Sequence, residues 1–269
     1  MVPGFSRSIS LPLSPSRKNP SHVRTASLPC GSHPLVSHLE DEIRAVRSWL
    51  SRPDPDLGST AWIQAGIYRI QLLHAALGEL LNLPQAQDPL RGAAAGERLL
   101  DGFLRLADAY GSFRSAAVAL KQYSSEAQAA IRRSDAARLA SAVRSVRRSE
   151  KELAKLTSTI RSAPRCSAEA EIAGIVREVI GATAAASAAV FMAVVEISSA
   201  ARASCGVRKM DLLFEFKKKA SKEEKEMAAL EKLEELDGCI GSLESGSERV
   251  FRSLVNIRVS LLNILTPSL

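Results

Sequence analysis

The hexapeptide Arg7-Ser8-Ile9-Ser10-Leu11-Pro12 returns as Arg24-Thr25-Ala26-Ser27-Leu28-Pro29. Each copy sets an arginine three residues before a serine and a proline two residues after it. Arginine at that distance suits a kinase with an acidic substrate groove, and the proline turns the chain out of a binding cleft. Phosphorylation would give each serine close to two negative charges and three strong acceptor oxygens. The pattern resembles the phosphoserine motif that 14-3-3 proteins grip with an arginine cluster. Ser10 and Ser27 lie at most about 56 Å apart in extended chain, so a dimeric reader holding both would gain avidity from the short tether. Arg7, Ser10, Pro12, Arg24, Ser27 and Pro29 are therefore candidate phosphorylation and docking residues, with a 14-3-3-type reader as candidate partner. The plainer reading is that arginine-directed serines abound in such tails and most are never read.

A second set is cationic. On a helix expected over about 135–161, Leu139, Val143, Val146, Leu153 and Ile160 point inward, while Arg138, Arg144, Arg147, Arg148, Lys151 and Lys155 form an outward basic face. Such a face could meet phosphates or anionic lipid. No aromatic residues are interleaved with it, so nucleic acid is not an expected partner, and a solvated surface is the simpler reading.

Catalytic chemistry finds no footing. There is no GxGxxG, Walker-type glycine loop, HExxH or GxSxG. Glu234 and Glu235 have no histidine or metal partner in view, and His74, with none either, reads as a surface or packing residue. No catalytic, cofactor-binding or metal-binding residue is assigned, and no cofactor is expected. Cys30, Cys166, Cys205 and Cys239 stand far apart without a CxxC, which suits free thiols in a reducing compartment.

The elements that must position these residues are helices. Hydrophobic residues make up 46% of the 269 positions but aromatics only 4%, and alanine and leucine dominate, which favours helix over sheet. The net charge of +7 permits acidic partners without naming any. Residues 1–32 are rich in Ser and Pro and precede the first acidic residue, Glu40, so the composition predicts a disordered tail. The same composition is compatible with a plastid or mitochondrial transit peptide, while a secretory signal is not expected.

The folded domain is expected over 33–269. Pro34 opens a helix with Leu35, Leu39, Ile43, Val46 and Leu50 at helical spacing, and Glu40, Asp41 and Glu42 fall early, where the helix dipole favours acid. A second helix, about 59–83, presents Ile63, Ile67, Ile70, Leu73, Leu77, Leu80 and Leu81, and Pro84 ends it. Asp88-Pro89 reads as the cap and first residue of a third helical region, with Leu99, Phe103, Leu106, Tyr110, Phe113, Ala117 and Leu120 in its stripe. From Val179 to Val195 no residue is charged. The run is at the lower length limit for a membrane span, but its alanines give it little drive into lipid, so a buried core helix is favoured over an anchor. Residues 206–228 read as a solvated connector, with Ser221 and Glu224 as a capping box for the last helix.

That last helix is the organising rod. Leu233, Leu236, Ile240, Leu243, Ser247, Val250, Leu254, Ile257, Leu261 and Ile264 alternate steps of three and four, a heptad seam. Few charges flank the seam, which argues for a helix surrounded by others rather than a two-stranded coiled coil. The fold class is all-α: a multi-helix bundle of long antiparallel helices with a disordered N-terminal tail.

The stretches HVRTASLPCGSHPLVSHLEDEIRAVRSW at 22–49, LLDGFLRLADAYGSFRSAAVALKQYSSEAQAAIRR at 99–133 and LEELDGCIGSLESGSERVFRSLVNIRVSLLNIL at 233–265 resemble a plant-specific family of unknown function, the BYPASS-related group. The resemblance implies an all-helical plant protein linked to root and shoot development, and it carries over no catalytic residue. The expected function is a non-enzymatic interaction or regulatory protein with a phosphorylatable tail. The alternative is a membrane-associated protein held by 179–195 or by the basic face. Cytoplasm or nucleus is the expected location, with plastid, mitochondrion and membrane as alternatives.

Overall fold

Every position of the predicted seam, Leu233 to Ile264, is buried in the computed structural model, Ser247 included. The structure describes residues 33–51, 58–91, 93–161, 171–206 and 219–266. Among these the elements are α1 (Pro34–Ser51), α2 (Thr60–Leu81), a short α3 (Pro84–Gln87), a 3-10 turn (Asp88–Leu90), α4 (Ala93–Arg132), α5 (Ala136–Arg161), α6 (Glu171–Ser204) and α7 (Lys219–Leu265). No strand is present among the described residues.

The 47 residues of α7 make a rod about 70 Å long. It runs antiparallel to α4: Gly96 faces Leu265 at one end, Arg114 pairs with Glu248 and Lys121 with Glu244 in the middle, and Arg132 meets Glu234 at the other. Along its other sides α7 packs on α2 and α6, so one chain fills the seam. α5 folds back on α4 through a three-residue turn. There Ser134 takes a left-handed φ of 53°, Asp135 N–H reaches back to Ala130 C=O at 2.9 Å, and Asp135 Oδ1 accepts the N–H of Arg138 at 3.0 Å to cap α5. α6 touches α1, α2, α4, α5 and α7 and is the central helix. One continuous hydrophobic core runs from α1 to α7.

Several expectations shift by a turn or less. Glu40, Asp41 and Glu42 lie beyond the first turn of α1, which holds no acid. Ser59 caps α2 by accepting the Trp62 N–H at 3.1 Å. Pro84 ends α2 but also opens α3 as its first residue, where its missing N–H costs nothing. Asp88 caps no long helix: it begins the 3-10 turn and pairs with Arg91, and α4 starts at Ala93. Ser221 lies within α7 rather than at its cap, because the Lys222–Glu226 pair and its neighbours carry the helix back to Lys219. The tail 1–32 lies outside the described residues.

Close approach explains one glycine of α7 and leaves two others unexplained. A Cβ at Gly246 would stand 2.8 Å from Ile67 of α2, whereas Gly238 and Gly241 face open space. Gly246→Ala should therefore lower stability by about 1–3 kcal/mol. Gly241→Ala should raise it by about 0.5–1 kcal/mol. Urea denaturation of the two variants beside the wild type checks both signs.

Candidate functional site

The uncharged run of α6 supplies two hydroxyls to the middle of the bundle, Thr183 and Ser187, one helical turn apart and both fully buried. Thr183 Oγ1 lies 3.1 Å from His74 Nε2, and His74 Nδ1 lies 2.7 Å from Ser253 Oγ on α7. Ser253 donates to Val250 C=O at 2.8 Å. One assignment then satisfies every proton: His74 Nδ1–H donates to Ser253, and Nε2 accepts from Thr183. Burial holds the ring neutral, its pKa pushed down from 6.5 to about 3.

A turn along α6, Ser187 donates to Thr183 C=O at 2.7 Å and so receives the Tyr110 hydroxyl at 3.0 Å. Burial raises the Tyr110 pKa. Phe113 and Phe191 stack beside it with centroids 4.2 Å apart. This seam ties α2, α4, α6 and α7 together at their centres.

A second buried polar contact fixes α5. Glu150, 7% exposed, accepts Arg202 Nε at 3.0 and 2.9 Å on its two oxygens and the Ser198 hydroxyl at 3.1 Å. Glu150 and Thr157 occupy the two gaps in the stripe Val143, Val146, Leu153, Ile160, so the inner face of α5 is one unbroken three-four pattern with two polar members. That spacing was the available signal for a buried carboxylate, and the apolar residues alone hid it.

The opposite face of α5 carries the predicted cations. At about 100° per residue, Arg144, Arg147, Arg148, Lys151 and Lys155 share an arc of about 100° along about 17 Å of helix. All five are exposed. Arg138 is not in that row: it lies about 120° from Arg144 around the axis and pairs with Asp135 at 3.3 Å. The row and Arg138 are thus separate features. Arg7, Ser10, Pro12, Arg24, Ser27 and Pro29 lie outside the described residues.

Besides an open groove of about 430 Å³ lined by Ala154, Thr157, Ser158, Arg161 and Met192, two surface cavities have the size of a ligand site but not its chemistry. One, about 410 Å³, is lined by Ile131, Asp135, Leu139, Cys205, Lys222 and Glu226. Its thiol donates to Ala201 C=O at 3.2 Å and is raised in pKa by burial, which keeps it protonated and a poor nucleophile. The other, about 720 Å³ between α4 and α7, is bordered by the Lys121–Glu244 ion pair and by Arg114, which pairs with Glu248. Among the described residues no three His, Cys, Asp or Glu side chains stand together as metal ligands. His74, read from the sequence as a surface or packing residue with no partner in view, is a packing residue whose two ring nitrogens both find partners in the core.

A family model described as Protein BPS1 matches residues 66–264, from within α2 to the last turn of α7. The match covers well over half the chain, which therefore belongs to that family, in agreement with the BYPASS-related resemblance. No curated protein and no solved structure matches it.

The neutral buried His74 makes stability depend on acid. In the unfolded chain it takes up a proton below about pH 6.5, whereas the folded protein refuses it until about pH 3. Its contribution is fully present above about 6.5 and is lost as pH falls toward 3, by up to about 1.4 kcal/mol per pH unit. His74→Gln should flatten the slope of unfolding free energy against pH between about 6 and 4 by that amount. Urea titrations of both proteins across the range measure it.

Proposed function

We propose that this BPS1-family chain is a non-enzymatic interaction protein, a helical bundle carrying a tail that is phosphorylated at Ser10 and Ser27 and then held by a dimeric 14-3-3-type reader. Family membership supports a plant protein from a development-related family. The observation that carries the non-enzymatic reading is where the buried polar side chains are spent. His74, Tyr110, Glu150, Thr183 and Ser187 each close a contact between helices, and none lines the surface cavities described above, as a nucleophile, base or acid would.

The tail reading rests on the repeated arginine, serine and proline spacing. A bundle that spends its central histidine, tyrosine and carboxylate on contacts between its own helices leaves recognition to charged segments outside the core. Cytoplasm or nucleus, where such readers and kinases meet their substrates, is the location that fits. Most side chains of the Ala-rich run are turned into the core, which leaves that segment less suited to serve as an anchor.

The full chain phosphorylated on both serines should bind an immobilised 14-3-3 dimer on the order of 100-fold more tightly than chains carrying Ser10→Ala or Ser27→Ala, because the second serine binds intramolecularly. Equal capture of the phosphorylated and unmodified chains would end this reading.

A further inference from the structure

We infer that the outer face of α5 is a docking surface for an anionic phospholipid membrane. The inference is independent of the tail and of any 14-3-3 reader, and it starts from an asymmetry in how the protein uses its charges. On α4 and α7 five cations are matched, Arg114 with Glu248, Lys121 with Glu244, Arg132 with Glu234, Lys232 with Glu235 and Arg252 with Glu248. Those without an ion pair among the described residues, such as Arg105, Arg258 and, just past the end of α4, Arg133, are scattered rather than in one row. On α5, Arg144, Arg147, Arg148, Lys151 and Lys155 make no ion pair among the described residues. Five cations are left to act together on one face, where their fields add.

The shape around the row favours a plane over a groove-bound ligand. Among the described residues α5 packs substantially only on α4 and α6, so its other side is a crest of the described bundle. Between and beside the cations stand Ser141, Ala154 and Ser158, which are too small to hold a flat surface away, and the one exposed acid of α5, Glu152, lies at the edge of the row about 40° around from Arg148. The cationic tips are the first groups such a surface meets. A nucleic-acid strand would want a walled channel or aromatic platforms for its bases, and this face has neither. It also lacks the large apolar side chains with which interfacial helices enter the acyl region. Contact is therefore electrostatic, with lipid headgroups, and reversible by salt.

Inside, the Glu150–Arg202 contact and the apolar stripe hold α5 against α6 in one rotational setting. The cationic row cannot roll away from the surface, so its charges are presented without an ordering cost for the helix.

The test is sedimentation of the purified full chain with phosphatidylcholine vesicles containing or lacking phosphatidylserine. Binding is expected only to the anionic vesicles and should disappear near 1 M salt, where the Debye length falls to about 3 Å. Each cation near the surface contributes about five-fold to partitioning, so Arg144→Gln/Arg147→Gln/Lys151→Gln should weaken it on the order of 100-fold. The pair Arg148→Gln/Lys155→Gln should weaken it roughly 30-fold. A matched triple on the paired surface, Lys121→Gln/Lys232→Gln/Arg252→Gln, removes the same charge and should leave binding close to wild type. Circular dichroism of each variant confirms that the helices are intact. Absence of binding to anionic vesicles, equal loss in the two triples, or binding to RNA or an acidic peptide in place of vesicles would each overturn the assignment.

Discussion

A buried hydroxyl without a partner costs about 1–3 kcal/mol, and α6 brings two of them into the driest part of this protein. Thr183 finds its partner in His74, and Ser187, already donating to Thr183 C=O on its own helix, gives the buried Tyr110 hydroxyl an acceptor. That requirement sets the rotation of α6 about its axis and the sliding position of α2 and α4 against it. Apolar packing alone would tolerate neighbouring registers, since alanine looks much the same one turn away. The polar contacts do not. Small residues make the approach possible: Gly102 lies under Ile180 where α4 meets α6, and Gly66 lies under Trp49, whose ring stacks on Trp62 at 4.3 Å.

The same logic, carried outward, gives α5 its two characters. Its inner face is apolar apart from Glu150, Thr157 and Ser149, and a buried carboxylate is acceptable there only with Arg202 and Ser198 on it. Removing the arginine would leave an uncompensated charge in the interior, so the contact specifies one setting of α5 against α6 more than it adds net stability. Once that setting is fixed, the row from Arg144 to Lys155 has to face solvent. α4 and α7 took a different course, pairing charges across their shared rim at 2.6 and 2.9 Å. Exposed pairs of that kind add little stability, but they remove free positive charge from that side of the surface. What remains on α5 is a row of five exposed cations without an ion pair among the described residues.

Periodic apolar patterns are legible in the sequence wherever they are long. The seam of α7, the stripe of α2 and that of α4 all appear as spacing, because a three-four alternation sustained over many turns is hard to produce except by a helix that buries one face. Polar members of such stripes are harder to read. Ser247 stands out since apolar residues flank it on both sides for many turns, whereas Glu150 and Thr157 leave gaps that look like ordinary surface positions in a helix crowded with charge. The α4–α5 turn is placed by the helix expected over about 135–161, which begins at Ala136, but its conformation is not legible. Its left-handed residue is Ser134 rather than glycine, so it lacks the usual mark of a helix end. Arg138 joins the basic face on residue type alone, when its angle around the helix and the capping Asp135 put it elsewhere.

The uncharged stretch from Val179 to Val195 shows what hydropathy leaves out. By length and composition α6 could cross a membrane, since such a measure adds up residues without regard to direction. Direction separates the two cases. A helix in lipid turns its bulky apolar residues outward on every side, whereas here Val179, Val190, Phe191 and Val194 are fully buried among neighbouring helices. The exposed positions, Gly181 and Ala185, are among the smallest in the run, and Ala189, Met192 and Val195 are partly covered. The two hydroxyls stand four residues apart on a buried side, an arrangement that asks for specific partners and gains nothing from an acyl chain. In a run of this kind the number of apolar residues therefore says less about its surroundings than the angle between its few polar ones, and here that angle points inward to a histidine and a tyrosine.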